Sequence, residues 1–383
     1  MKADVFNPGN PPKKPMIHYE LPFHDAKQDQ SDFAKELVTE VHQFFKTQNK
    51  SFKADGWQKF KIFLIFFQVF VTYLALVFVP LSTVWVLLLL MNMIFWASMW
   101  GFNLGHESAH NTVFKTPLLS EIFRTSFDII GISSAIFRRK HVFFHHQYTN
   151  KRGVDGDMEE AYPLLRLSNY YAWQPHHRYQ SWYAFPAYSL LTIAWAWHDD
   201  WLRMMNNKVA TADMMPLTRL EKFMFVFLKL LGAALFLVIP SFFHPFWIVL
   251  SCYVAVHLGA GLMTCLIFQI AHIYENCEDL ADYQFSGWYK DQVEQTRNFA
   301  TKNVFWNWFL GGLNFQIEHH LFPYISSCHY PRIQPLVKRM CEKHHVTYLE
   351  SPGFFRAVQD HLQTLNSLGK PESEKQLITK SAF

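Results

Sequence analysis

Two long stretches without a charged side chain constrain this chain more than any other feature. Residues 62–105 (44 residues) and 230–274 (45 residues) contain no Asp, Glu, Lys or Arg. At about 1.5 Å rise per residue, either would run roughly 66 Å as one helix, about twice the ~30 Å hydrocarbon core of a bilayer. Each is therefore expected to cross and return. Turn signals sit near both midpoints, Pro80-Leu81-Ser82 in the first and Pro240 to Pro245 in the second. The pattern predicts two helical hairpins with spans at about 61–80, 82–104, 222–241 and 246–270. The expected fold class is an all-α membrane protein with four transmembrane helices and a helical cap. Buried core helices of a water-soluble protein are far shorter than these runs.

The charges fall outside the hairpins. Of 35 Lys and Arg residues, ten lie in 1–61, fourteen in 106–229 and eleven in 275–383. Four spans place all three segments on one side, and the hairpin tips carry no Lys or Arg. By the positive-inside rule that side is the cytoplasm, so both termini are expected there. The organisation read from this is a cytoplasmic N-terminal arm (1–60), a membrane domain (61–345) and a cytoplasmic C-terminal tail (346–383). Residues 180–197 (QSWYAFPAYSLLTIAWAW) are apolar too, but a fifth span would put the basic C-terminal segment outside. They are expected to form an interfacial helix. No apolar signal-peptide core precedes residue 24, so no cleavage is expected, and that Pro- and Lys-rich stretch reads as a mobile arm. The 67 aromatics (38 Phe, 16 Tyr, 13 Trp) exclude a disordered chain. Five cysteines (Cys252, Cys265, Cys277, Cys328, Cys341) form no CxxC pair and read as reduced. A net charge of +4, with no basic run interleaved with aromatics, points to a membrane surface and not to nucleic acid.

Histidine is the next unusual feature, with 20 in the chain. Five fall between 106 and 146: His106 and His110 in HESAH, and His141, His145 and His146 in HVFFHH. QIEHH adds Gln316, His319 and His320. On a helix, residues three or four apart share a face. His106 is thus expected to pair with His110, His141 with His145, and Gln316 with His319 and His320. His272, in FQIAHIYEN, ends the second hairpin on the same side. Eight histidines oversupply one metal ion and supply two well; imidazole suits Fe, Zn, Cu and Ni. HESAH also fits the H-E-x-x-H zinc-protease pattern, in which the glutamate is the base. That reading leaves HVFFHH and QIEHH without a purpose. A membrane metal carrier is a further alternative, disfavoured because carriers place ligands inside the spans.

HESAH, HVFFHH and QIEHH resemble, in order, the three histidine boxes of the integral-membrane fatty acid desaturases. HHQYTNKRGVDGDMEE, FQIAHIYEN and QIEHHLFPYISSCHYPRI resemble the stretches around the second box, the lone additional ligand and the Gln-type third box. The resemblance covers roughly 60–345. It implies an O2-dependent acyl desaturase with a di-iron centre ligated by His106, His110, His141, His145, His146, His272, His319 and His320. Gln316 stands where many members carry a ligating histidine. Phe268 occupies the position where some relatives have a water-linked Asn. The Gln box resembles front-end acyl desaturases, which act between an existing double bond and the carboxyl end. Those commonly carry a fused cytochrome b5 with His-Pro-Gly-Gly. Here the only His-Pro is His244-Pro245, followed by Phe246, and ~60 residues before the first span are too few for that domain. Electrons are therefore expected from a separate ferredoxin or cytochrome b5.

Other residues follow from that chemistry. Asp155, Asp157, Glu318 and Glu107 are candidates to accept hydrogen bonds from ligating imidazoles. Trp306, Trp308, Phe309 and Phe315 are candidates to line an acyl channel. Arg138, Arg139 and Lys140 could hold an acyl-CoA phosphate, an anionic lipid head or an acidic electron carrier. The substrate is a fatty acyl chain, on CoA or on a lipid. A lipid-chain hydroxylase of the same histidine-box type remains the alternative, since both reactions begin by hydrogen abstraction.

Overall fold

The computed structural model describes Ala26 and residues 29–151, 153–274 and 287–371. Cys277 and the arm before residue 25 lie outside the described residues. Four helices are long and apolar enough to cross a membrane: Gly56–Phe78, Thr83–Ala109, Arg219–Ser241 and Phe246–His272. The two hairpins and the all-α class are thus as expected. The expected span ends shift for local reasons. Asp55 caps the first helix, its carboxylate accepting from the Gln58 N–H at 2.9 Å, and so starts it at Gly56. The second span does not stop at 104 but continues through a π-helical turn, Gly101–Gly105, into HESAH. Thr218 and Glu221 form a reciprocal capping box that starts the third span at Arg219.

The outer faces of the spans are apolar and exposed, as at Phe63, Phe70, Trp85, Met91, Phe223 and Trp247. Such a belt is stable only against lipid or a partner surface. Backbone polar groups are satisfied within the helices, which a bilayer requires. The membrane character of the chain rests on these four helices.

Residues 180–197 do not lie flat as an interfacial helix. Gln180–Ser189 and Leu191–Ala194 run antiparallel along the fourth span. Thr192 Oγ1 donates to the His257 carbonyl (2.8 Å) and Trp197 Nε1 donates to Tyr253 Oη (3.0 Å). At Gly261 a side chain would strike the Ser189 carbonyl, so glycine permits the close approach. The hydroxyl and indole groups that argued for an interface instead find partners on a neighbouring helix.

The histidine-bearing cap is helical, with two strand pairs of two residues each among the described residues: Lys208–Val209 with Ala212–Asp213, and Asn298–Phe299 parallel to Glu350–Ser351. The helix Asp32–Thr47 buries Leu37, Val41 and Phe45 against the helix Tyr330–Lys343, so part of the N-terminal segment belongs to the cap. The helix Phe354–Leu368 buries Ala357, His361 and Leu365 and shares a core with the spans, so it is not a free tail. The described cysteines are unpaired, and Cys265 and Cys341 are buried.

Candidate metal centre

The three boxes and His272 converge at the cap ends of the second and fourth spans. Their side chains form groups in which one ligand atom of each lies within 4.8 Å of the others: His106, His110, His141, His146 and His319 in one, His145, His272 and His320 in a second, and His141 and His145 with Asp157 in a third that bridges them. His106 and His110 share a group and His141 meets His145, stacked at 5.2 Å between centroids, as helical spacing implies, whereas His319 and His320 part. HVFFHH sits in a π-helical segment, Arg139–His145, and the His146 N–H bonds the His141 carbonyl five residues back (3.0 Å). The wider turn sends His141 and His146 to one group and His145 to the other. In the helix Gln316–Leu321, His319 and His320 diverge because adjacent residues are about 100° apart. Gln316 is buried against His272, with its amide N–H given to the Leu313 carbonyl (2.8 Å); only its Oε1 is left as a donor atom.

The donor set fits metal ions. A ligating imidazole usually gives its second nitrogen to an acceptor, and three of the histidines show this arrangement. His145 Nδ1 donates to Asp155 (3.0 Å), His320 Nδ1 to Gln292 Oε1 (2.9 Å), and His319 Nδ1 faces Tyr330 Oη (3.2 Å). The opposite nitrogens of His319 and His320 are buried without a partner, as are His110 Nε2 and both nitrogens of His272. Orphaned buried polar atoms are costly, and so many converging in one place mark a site for cations. Burial, then the neighbouring imidazoles, hold His141, His146, His319 and His320 well below the ordinary imidazole pKa, so they present neutral, ligating rings. Burial and Arg138 bring His110 down to about 3. Burial also opposes protonation of His145, but the Asp155 carboxylate outweighs it and raises the pKa.

Of the four carboxylates expected beside the ligands, Asp155 and Asp157 face His145, at 3.0 and 3.5 Å. Glu318 does not; it accepts from Asn298 (2.7 Å) and Tyr348 (2.8 Å). Glu107 turns away as well, accepting from Thr112 Oγ1, Ser326 Oγ and the Ser327 N–H at 2.7–3.2 Å. A glutamate so committed cannot serve as the base of a zinc protease. Sequence spacing missed Gln292 and Tyr330, which share no helical periodicity with the boxes, and Thr149 and Asn150, which follow box two by one turn but carried no ligand-like signal.

A cavity of about 220 Å³ runs inside the bundle of spans and ends at this centre. His106 and Phe268 line its cap end, and Val86, Pro240 and His244 its far end. From Val86 to His106 the second span rises about 30 Å. Phe268 packs against the rings of His106 and His141 (6.4 and 6.2 Å between centroids), so this position walls the cavity. Trp306, Trp308, Phe309 and Phe315 do not line it. Trp306 stacks on Phe354, Trp308 and Phe309 pack on Phe95, and Phe315 lies in the core under the N-terminal helix. The basic run before box two is largely neutralised: Arg139 pairs with Glu221 (2.9 Å) and Lys140 is buried between Asp157 and Glu160 (2.8 Å each). Arg138 alone of the three is exposed.

The sequence model of the family described as fatty acid desaturase matches residues 82–352. The chain belongs to the fatty acid desaturase family. This desaturase is 31% identical over 277 residues to the sn-1 linoleoyl-lipid 6-desaturase of Synechocystis sp., covering 70% of this chain and 76% of the relative. It is 30% identical over 364 residues to the acyl-lipid (8-3)-desaturase of Physcomitrium patens, covering 92% and 74%. It is 30% identical over 349 residues to the sn-1 linoleoyl-lipid 6-desaturase of Arthrospira platensis, covering 89% and 94%. The chain is thus a membrane fatty acid desaturase, an oxidoreductase that introduces double bonds into lipid-type substrates.

Proposed function

We propose that this desaturase is a front-end enzyme acting on lipid-linked acyl chains through a centre of two iron ions. His106, His110, His141, His146 and His319 would hold one ion, and His145, His272 and His320 the other, with Gln316 Oε1 completing the second set. The observation that carries the reading is the cavity inside the spans that ends on His106. A chain entering from the bilayer can lie along it with its methyl end towards Pro240 and His244. The relatives' names support a lipid-linked substrate and a double bond near the carboxyl end.

The reaction takes two hydrogens from neighbouring methylenes and consumes O2, two protons and two electrons, giving water. No side-chain acid or base can do this, and iron supplies the O2 chemistry when bound. The chain's own part is placement and exclusion. Asp155, Gln292 and Tyr330 fix the orientation of His145, His320 and His319. Phe268 and Phe137 present apolar walls beside the imidazoles and keep water from the methylene that reacts. Electrons would come from a carrier of the ferredoxin or cytochrome b5 class; His244, of the His244-Pro245 pair, bonds the Val77 carbonyl (2.9 Å). The cap and both termini face the cytoplasm, where that carrier would act.

Expression in a host with simple lipids, with a donor and added polyunsaturated substrate, tests the reading. Mass spectrometry of lipid species should find the loss of two hydrogens on glycerolipids, between an existing double bond and the carboxyl end. Gain of one oxygen, or a new double bond on the methyl side, would contradict it.

A further inference from the structure

The end of the fourth span is closed by residues outside every histidine box. The last four carbonyls of a helix have no partner within it. Here the Ile270 carbonyl accepts from Arg297 Nη2 (3.0 Å) and the Ala271 carbonyl from the Arg297 backbone N–H (2.9 Å). The His272 carbonyl accepts from Asn150 Nδ2 (3.1 Å) and the Ile273 carbonyl from His361 Nδ1 (2.9 Å). His361 is fully buried, and its Nε2 accepts from Tyr188 Oη (2.7 Å), which leaves the proton on Nδ1 for Ile273. Arg297 is anchored in turn by Asp360 (3.0 Å) and the Ala357 carbonyl (3.3 Å). Four carbonyls in a row are thus held from two distant segments and from the turn after box two.

The same network reaches the other histidines of the three-histidine group. The Asn150 N–H donates to Asp155 Oδ2 (2.8 Å), the acceptor of His145, and Thr149 shares Gln292 Oε1 (3.0 Å) with His320. In the five-histidine group, His319 instead leans on Tyr330. We infer that Arg297 and His361 are positioning residues for the three-histidine metal position. By closing the end of the fourth span they fix where His272 projects, and so set the affinity of that position separately from its neighbour. The inference rests on the assignment of the two histidine groups to two irons.

The test compares iron retention under a chelator challenge, iron per chain by elemental analysis, and Mössbauer spectra of the full-length iron-loaded protein in detergent. Wild type should hold two irons per chain; a single ion would overturn the two-iron assignment itself. In His361→Phe the weaker position should lose about 10- to 100-fold in affinity, the usual cost of removing a partner behind a ligand. One iron and one of two spectral components should be lost while the other persists. His361→Asn keeps an N–H for the Ile273 carbonyl and should restore both. Should His361→Phe show no cooperative melting, Arg297→Lys decides by the same criterion: it keeps a charge for Asp360 but cannot also reach Ile270. Wild-type retention of both irons in the folded variant, or loss of both in step, overturns the inference.

Discussion

Each imidazole has two ring nitrogens and can give only one to a metal, so the partner of the other sets how well the ring is aimed. His145 and His319 are the clearest cases, one behind Asp155 and the other behind Tyr330. His145→Ala and His319→Ala should each abolish turnover, one from each group. His344→Ala should leave it nearly intact, because His344 pairs with Glu36 on the cap surface and has no contact with the centre. Asp155→Asn should cost about 10- to 100-fold in iron affinity or activity while leaving melting little changed. A wild-type turnover in Asp155→Asn would remove its assigned role. That these imidazoles would gather at one centre was legible in the sequence because they clustered at short spacing. Their partners were not: Gln292 and Tyr330 come from segments with no periodic relation to a box. Glu107 misled because H-E-x-x-H carries no sign of where the carboxylate turns.

The helical elements decide which imidazole falls in which group. HVFFHH reads equally well as an α turn or a π turn, since the pattern of apolar residues and histidines fits both. Only the fold shows the wider one, a feature often found at functional sites. Deleting exposed Phe143 should return the segment to α-helical register, turn His145 and His146 out of their groups and abolish iron binding. Phe143→Ala should retain most activity and all iron; equal effects of the two changes would contradict the register argument. The helix Pro117–Ile129 carries a pH-sensitive contribution to stability. Burial pushes the Asp128 carboxyl up to about 7, against hydrogen bonds from Ser134 and the charge of Arg124. Because its folded pKa lies above the unfolded one, Asp128 favours the fold at low pH, and that contribution is lost as pH rises through about 7. Asp128→Asn should therefore gain stability relative to wild type between pH 5 and pH 8, by on the order of a few kcal/mol. Melting curves at the two pH values check the sign. Span number and order were legible because charge is absent over two runs each longer than one crossing. Segment 180–197 was misjudged because its hydroxyls and tryptophans suit a membrane interface as well as a neighbouring helix, and composition does not distinguish them.

At the scale of the whole molecule, the bundle of spans offers an apolar slot and the cap offers imidazoles, and the two meet at His106. Ala260 lines the slot on the fourth span, two helical turns before Phe268. Ala260→Trp should fill it, cutting conversion of long acyl chains by at least tenfold in product per chain while iron content stays at the wild-type value. Unchanged conversion would place the acyl chain elsewhere. Neither the slot nor its walls could be read in advance, because they are made by packing between spans far apart in sequence. Of the aromatics nearest the third box, Trp308 and Phe309 pack on Phe95 of the second span, while Phe315 lies under the N-terminal helix. Elemental analysis of the purified, catalytically active protein decides whether the two histidine groups hold one ion each. Two irons and no stoichiometric zinc per chain are expected; a single metal ion per active chain, or zinc in place of iron, would rule out a di-iron centre in these groups.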